Sequence, residues 1–173
     1  PSWQRQMCIR DRFYPYTKRF TFLCHYFLGV ALAMAPAGGY IAVTGELPFG
    51  IILLSGGVCL WIGSFDVIYG SQDRQFDLDH KLHSMATQFG VANAHKIAAF
   101  FHFISILCFI GAGIYFDLSF IYYIGVLIAI LTLIYQHSLI TPYDFSRLTQ
   151  VYFMRNGIVS IVIFVFTLID ILS

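Results

Sequence analysis

Four side chains in the stretch DVIYGSQDRQFD have the types and spacing of a reaction centre. Asp66, Tyr69, Asp73 and Asp77 succeed one another at intervals of three, four and four residues. At about 100° per residue an α-helix returns those steps to nearly one azimuth, so a continuous helix carries three carboxylates and a phenol on one stripe. Carboxylates four apart can share a divalent cation, and Mg2+ takes one or two carboxylates together with water and substrate phosphates. Without a cation such carboxylates repel one another, so a metal or a cationic partner is the natural occupant. A solvated helix end explains Asp73 or Asp77 taken singly. It does not explain Asp66, which falls in an apolar segment where a carboxylate costs roughly 2.5–3.5 kcal/mol on insertion scales. The set in register therefore points to a functional site.

A second cluster, YPYTKRFT, stands at the start of an earlier apolar run. Lys18 and Arg19 are of the kind that anchor a membrane helix by snorkelling to headgroups. They also fall on the same membrane side as the carboxylate stripe, and cations facing metal-bearing carboxylates are how a diphosphate is held. Other polar residues carry less. His25 lies seven residues after Lys18 and, like His102, reads as an interhelical hydrogen-bonding residue. Tyr135, Gln136 and His137 read as interfacial belt residues, and Arg155 and Asn156 as polar contacts near the site.

The elements that position these residues can be read from composition. Of 173 residues, 58% are hydrophobic and 11% charged, where a soluble domain carries about a quarter charged. The mean hydropathy is +0.75. These values mark an integral membrane protein, and no nucleic-acid partner is expected. Apolar runs at roughly 20–43, 48–70, 92–115, 118–139 and 151–171 are each long enough to cross a bilayer as a helix. Gly45 and Pro48, Asp117, and Thr141, Pro142 and Asp144 punctuate them. The expected fold is an all-α, polytopic transmembrane bundle, with one long connection, 71–90, holding the polar end of the stripe. Cys8, Cys24, Cys59 and Cys108 fit no metal spacing and read as small packing residues.

When loops alternate sides, the Lys and Arg at 5, 10, 12, 18, 19, 74, 81, 96, 147 and 155 all fall on one side or its helix ends. Glu46, Asp117 and Asp170 mark the other side. The positive-inside rule makes the stripe's side cytoplasmic. Residues 1–12, PSWQRQMCIRDR, are polar and aperiodic, and resemble a translated sequencing-adaptor remnant. They are expected to be non-native or disordered, with 13–173 the C-terminal part of one transmembrane domain.

DVIYGSQDRQFD is similar to the second Asp-rich motif of the UbiA superfamily of intramembrane aromatic prenyltransferases. YPYTKRFT resembles the YPxxKRxT segment of its 4-hydroxybenzoate polyprenyltransferase branch, at the proper distance upstream. LHSMATQFG (Leu82 to Gly90) resembles the run after that motif, and LIYQHSLI and the region around Asn156 resemble the family's last two helices. The resemblance implies nine transmembrane helices, of which these five correspond to the fifth to ninth, and another Asp-rich motif, NDxxDxxxD, that this chain lacks. It implies that Asp73 and Asp77 bind Mg2+, that Asp66 and Tyr69 orient the diphosphate or the metal shell, and that Lys18 and Arg19 bind diphosphate oxygens. The implied reaction is Mg2+-dependent transfer of a polyprenyl group from polyprenyl diphosphate to an aromatic acid, 4-hydroxybenzoate in ubiquinone synthesis. Two other readings stay open: a menaquinone-pathway transferase with another aromatic acceptor, and a cation or proton transporter using the intramembrane Asp residues. The implied setting is a bacterial inner membrane, and the 173-residue chain alone is expected to be inactive.

Overall fold

The computed structural model describes residues 16–139 and 148–173, with side chains of the last helix described from Asn156 onward. Residues 1–12, Tyr14, Thr141, Pro142, Asp144, Arg147 and the side chain of Arg155 lie outside the described residues.

Among the described residues the chain is helical throughout, without strands. Helix α1, Cys24–Thr44, ends at Gly45, whose positive φ of 75° lets its N–H close on Ile41 O at 2.8 Å. Helix α2, Phe49–Gly70, starts after extended Pro48. A 3-10 turn, Ser71–Asp73, then leads into α3, Arg74–Asp79. Helix α4, Met85–Phe89, is only five residues long and is held by a capping box in which Ser84 and Thr87 each bond the other's backbone N–H. Gly90, at φ 78° and ψ 157°, joins it to α5, Val91–Tyr115; only glycine adopts that conformation readily. Helices α6, Phe120–Leu139, and α7, Leu148–Leu172, complete the order.

The expected connection 71–90 is therefore not a loop but a chain of short helices. The first continues α2, so that 49–79 form a helical stretch of 31 residues. Four helices, α1, α2 with its extension, α5 and α6, are long and apolar enough to cross a membrane. The fifth expected span falls on α7, whose apolar described part is Asn156–Leu172.

Helix α2 is the centre of the arrangement, with α1 and α5 packed closely along its flanks and α6 paired with α7. Lipid tails are as apolar as leucine, so helices in a bilayer associate through close packing and hydrogen bonds more than through exclusion of water. Both are present. A Cβ on Gly29 would collide with the backbone carbonyl of Cys59, so glycine there sets the approach of α1 to α2. Ser105 Oγ donates to Gly57 O at 2.7 Å between α5 and α2, and Tyr122 Oη donates to Phe109 O at 2.8 Å between α6 and α5. One buried cluster joins α2, α5, α6 and α7 through Trp61, Phe109, Val126, Leu133 and Val159. A second, Val67, Ile68, Met85, Ala86, Ala94 and Ala98, seats α4 against α2 and α5. Large apolar side chains such as Phe27, Phe103, Leu131 and Phe164 stay exposed, as befits a surface solvated by lipid.

Candidate active site

The stripe lies where α2 leaves the bundle. Asp66 is buried, and its Oδ2 stands 2.8 Å from Nδ1 of His25 on α1. The residue at 70 must be small for that pairing, because a Cβ on Gly70 would come within 2.6 Å of the His25 ring. Tyr69 is half-buried and stacks on Phe65, with ring centroids 6.4 Å apart.

The 3-10 turn changes the stripe's phase. Its residues advance about 120° rather than 100°, so three of them rotate the rest of the stripe by roughly 60°. Asp73 emerges exposed, and its carboxylate makes no hydrogen bond among the described residues. Asp77, one turn further, is turned inward and is 1% exposed. Both of its oxygens accept from Lys18 Nζ at 3.0 Å. The backbone supports this ion pair: His83 N–H donates to Lys18 O at 2.6 Å, and Leu82 N–H to Asp77 O at 2.7 Å. Phe22 meets the ring of Phe89 edge-on at 5.5 Å, and Arg74 Nε donates to Ala86 O at 3.0 Å. The segment before α1 is thus strapped to the 71–90 connection by charge, backbone and aromatic contacts.

Arg19 points elsewhere. Its guanidinium lies 6.0 Å from the Tyr16 ring centroid, and it lines a hollow of about 350 Å3 with Phe76, His80, Lys81 and Leu82. Behind the stripe, two apolar cavities share Leu54 and Thr167. One, about 470 Å3, is lined by Trp61, Ile62 and Ser160; the other, about 330 Å3, reaches Tyr40, Phe116 and Ile171 at the far end of the bundle.

The structure brings Asp66, Tyr69, Asp77 and Lys18 to one end of the bundle, but as pairs rather than as an open acidic cluster. Among the described residues no three acidic, His or Cys side chains converge as a metal site. The donor chemistry nevertheless suits a hard cation: Asp73 offers free carboxylate oxygens, and Asp77 already has a cation, the Lys18 ammonium, seated across both of its own. Local spacing could not reveal the direct pairing of Lys18 with Asp77, because 59 residues separate them. The interhelical role expected of His25 is seen, with Asp66 as its partner.

The sequence pattern of the UbiA prenyltransferase family matches residues 11–158. This chain belongs to that family. A 4-hydroxybenzoate octaprenyltransferase of Nitrosospira multiformis is 31% identical over 157 residues, covering 91% of this chain and 53% of the relative. One from Alcanivorax borkumensis is 37% identical over 127 residues, 73% of this chain and 43% of its own. The apo structure of a UbiA homologue from Aeropyrum pernix K1 superposes with a TM-score of 0.78 at 25% identity, over 91% of this chain and 59% of that one. The chain spans about half the length of the curated relatives it matches. Membership of the UbiA family and the apolar helices together make it an integral membrane protein.

Proposed function

We propose that this chain forms the C-terminal part of a Mg2+-dependent aromatic prenyltransferase, which moves a polyprenyl group from polyprenyl diphosphate to 4-hydroxybenzoate in the bacterial inner membrane. The observation that carries this reading is the Lys18–Asp77 pair beside exposed Asp73, at the charged end of a bundle with apolar cavities behind it. The relatives' names support the substrates, and membership of the family favours the transferase over the transport alternative. The positive charges on the stripe's side support a site facing the cytoplasm.

In this reading Asp73 and Asp77 would hold Mg2+, which supplies positive charge against the departing diphosphate. Lys18 exchanges its carboxylate partner for diphosphate oxygens, so that the ammonium stays paired on either side of binding. Arg19 and Tyr69 add donors to those oxygens. Asp66, held by His25, stands at the edge of the apolar chamber, close to where the allylic cation forms. The tail lies in the apolar cavities, where water is excluded from the cation. The bond between the first prenyl carbon and its oxygen breaks, and diphosphate leaves with the electron pair. The ring carbon ortho to the phenol hydroxyl bonds to that prenyl carbon, and a base takes the ring proton.

The test is prenyl transfer by the enzyme carrying both Asp-rich motifs. Polyprenylated hydroxybenzoate should form with Mg2+ and stop on chelation, and Asp77→Ala should abolish turnover without loss of membrane insertion. Turnover unaffected by chelation, or retained by Asp77→Ala, overturns the reading. The 173-residue chain alone should give no product.

A further inference from the structure

The segments that meet at the Lys18–Asp77 pair turn neighbouring residues to two sides. Lys18 and Asp77 are buried in the ion pair, and His83 N–H bonds Lys18 O. Their chain neighbours Arg19, Phe76 and Leu82 instead line the hollow of about 350 Å3 at the surface, together with His80 and Lys81. The hollow therefore backs onto the ion pair across a shared wall.

Its lining is basic. Arg19 and Lys81 bring two positive charges, and no carboxylate lines the hollow. Among the described residues neither cation has a salt-bridge partner, whereas Lys18, next to Arg19, is neutralised by Asp77. Like charges facing one hollow repel each other, and an anion between them replaces that repulsion with attraction.

The backbone singles out Lys81. Helix α3 ends in the two hydrogen bonds of a Schellman turn: Lys81 N–H donates to Leu78 O at 3.2 Å, and Leu82 N–H to Asp77 O at 2.7 Å. That turn needs a left-handed residue, and Lys81 takes the position at φ 55°. Glycine fits there without strain, so a lysine in its place points to a use for the side chain. A cation at a helix C-terminus also suits the helix dipole, but any position in the last turn meets that need without left-handed backbone. His80 stands beside it, its ring stacked on Phe76 with centroids 4.0 Å apart. A carbonyl only accepts, so His80 Nδ1–H donates to Phe76 O at 2.9 Å, which leaves Nε2 as the ring's other polar atom.

The surroundings fix the depth. Tyr16, Phe20 and Phe76 are all more than half exposed around these cations. Tyr16 meets Phe20 edge-on at 5.1 Å, and the Arg19 guanidinium lies against the Tyr16 ring. Exposed aromatic rings among cations, at the ends of membrane-crossing helices, belong at the level of lipid headgroups. An arginine can meet two oxygens of one phosphate, and a lysine adds a compact charge.

We propose that this hollow is a phosphate site at the membrane surface, in which Lys81 and Arg19 hold the anionic phosphate of a lipid headgroup or a free phosphate ion. A bound phosphate joins the segment before α1 to the end of α3, across the same seam that Lys18 and Asp77 close from inside. The site goes beyond the transferase reading above, because the phosphate it takes does not react. Arg19 figures in both, so the test substitutions are kept off it.

The experiment measures binding to the enzyme carrying both Asp-rich motifs. Native mass spectrometry from detergent reads the first phosphatidylglycerol and the first phosphatidylcholine, whose phosphate already carries its own cation. Equilibrium dialysis reads inorganic phosphate. One basic residue near an anionic headgroup is worth about fivefold in binding, so wild type should prefer phosphatidylglycerol by about tenfold or more. Lys81→Gly removes the charge and relieves the backbone, so it should fold as wild type does while that preference falls about fivefold. Lys96→Gln removes an exposed cation outside the hollow and should leave the preference within about twofold. Phosphate binding that depends on Lys81, with no preference between the lipids, would assign the hollow to the free anion. The site is overturned if Lys81→Gly weakens neither probe, or if Lys96→Gln weakens the same probe as much. Should Lys81→Gly fail to insert, wild type decides: phosphatidylglycerol with a photoreactive headgroup should crosslink within 16–20 or 76–82, and crosslinks mapping elsewhere overturn the site. Each readout is binding, so loss of this site leaves the transferase reading standing, and loss of prenyl transfer leaves the site standing.

Discussion

Two polar regions of this bundle are built on opposite terms. At the charged end, Asp77 has Lys18 across both oxygens and Asp66 has His25 at 2.8 Å. On α6, Gln136 is just as buried and neither amide atom is bonded among the described residues. Charges cannot wait unpaired in a medium of low dielectric constant, because the penalty for an isolated ion is many times that of an open amide. A membrane protein can leave a neutral amide open, but it must give its ions an internal partner. The contrast thus separates a region closed on itself by charge from one where an amide stands open.

The largest expected effect breaks the first region. Lys18→Met leaves Asp77 buried without its cation and should cost about 3–5 kcal/mol. Chemical denaturation in detergent measures the loss. Lys18→Met combined with Asp77→Leu should recover most of that stability while activity stays absent, since apolar replacement of a whole buried pair is often neutral. No recovery in the double variant would mean that the segment is held by something other than the pair. Next, Gly70→Ala presses on a fully buried His25 ring that Asp66 holds in place; overpacking of this kind costs about 1–3 kcal/mol. Unfolding of that variant alongside wild type gives the figure, and a change under ~0.5 kcal/mol would show that the ring can move aside.

The second region should respond differently. Gln136→Leu removes open donors and acceptors in exchange for apolar surface, so stability should hold within ~1 kcal/mol or rise. A loss of several kcal/mol on the same denaturation curve would show that the amide has an internal structural role. The smallest change in stability belongs to Asp73→Asn. The side chain is exposed and bonds nothing described, so unfolding should shift by no more than ~0.5 kcal/mol. Prenyl transfer by the same variant should fall sharply; retained turnover would remove Asp73 from the metal site.

Much of this was legible from residue order alone. Apolar runs of bilayer length become helices because nothing else satisfies the backbone in lipid, and Asp66 stood out because nothing apolar explains it. The stripe was legible only as far as Gly70. Beyond the tighter turn at Ser71–Asp73, Asp73 stands exposed while Asp77 is buried against Lys18, and no side-chain spacing encodes where a helix tightens or which carboxylate is covered. Gln136 and His137 read as belt residues because they stand at a helix end; only the packing of the helices shows that Gln136 is buried and that His137 meets His102 inside. Gln136 did carry a signal. It continues the spacing of Tyr122, Val126, Ala129 and Leu133, the buried face of α6, so a lipid-facing role was the less consistent assignment.

The hydrogen bond from His83 N–H to Lys18 O has a kinetic meaning. It fastens the main chain of Lys18 independently of the ammonium, so the side chain can let go of Asp77 by rotating about its own bonds while the segment stays where it is. Exchange of partners on substrate arrival then needs the ion pair to open and the side chain to turn, without rearrangement of the segment that carries it. An enzyme with this fastening would not wait for a lid at its charged mouth, and its slow step would lie in the chemistry or in the departure of a long apolar product.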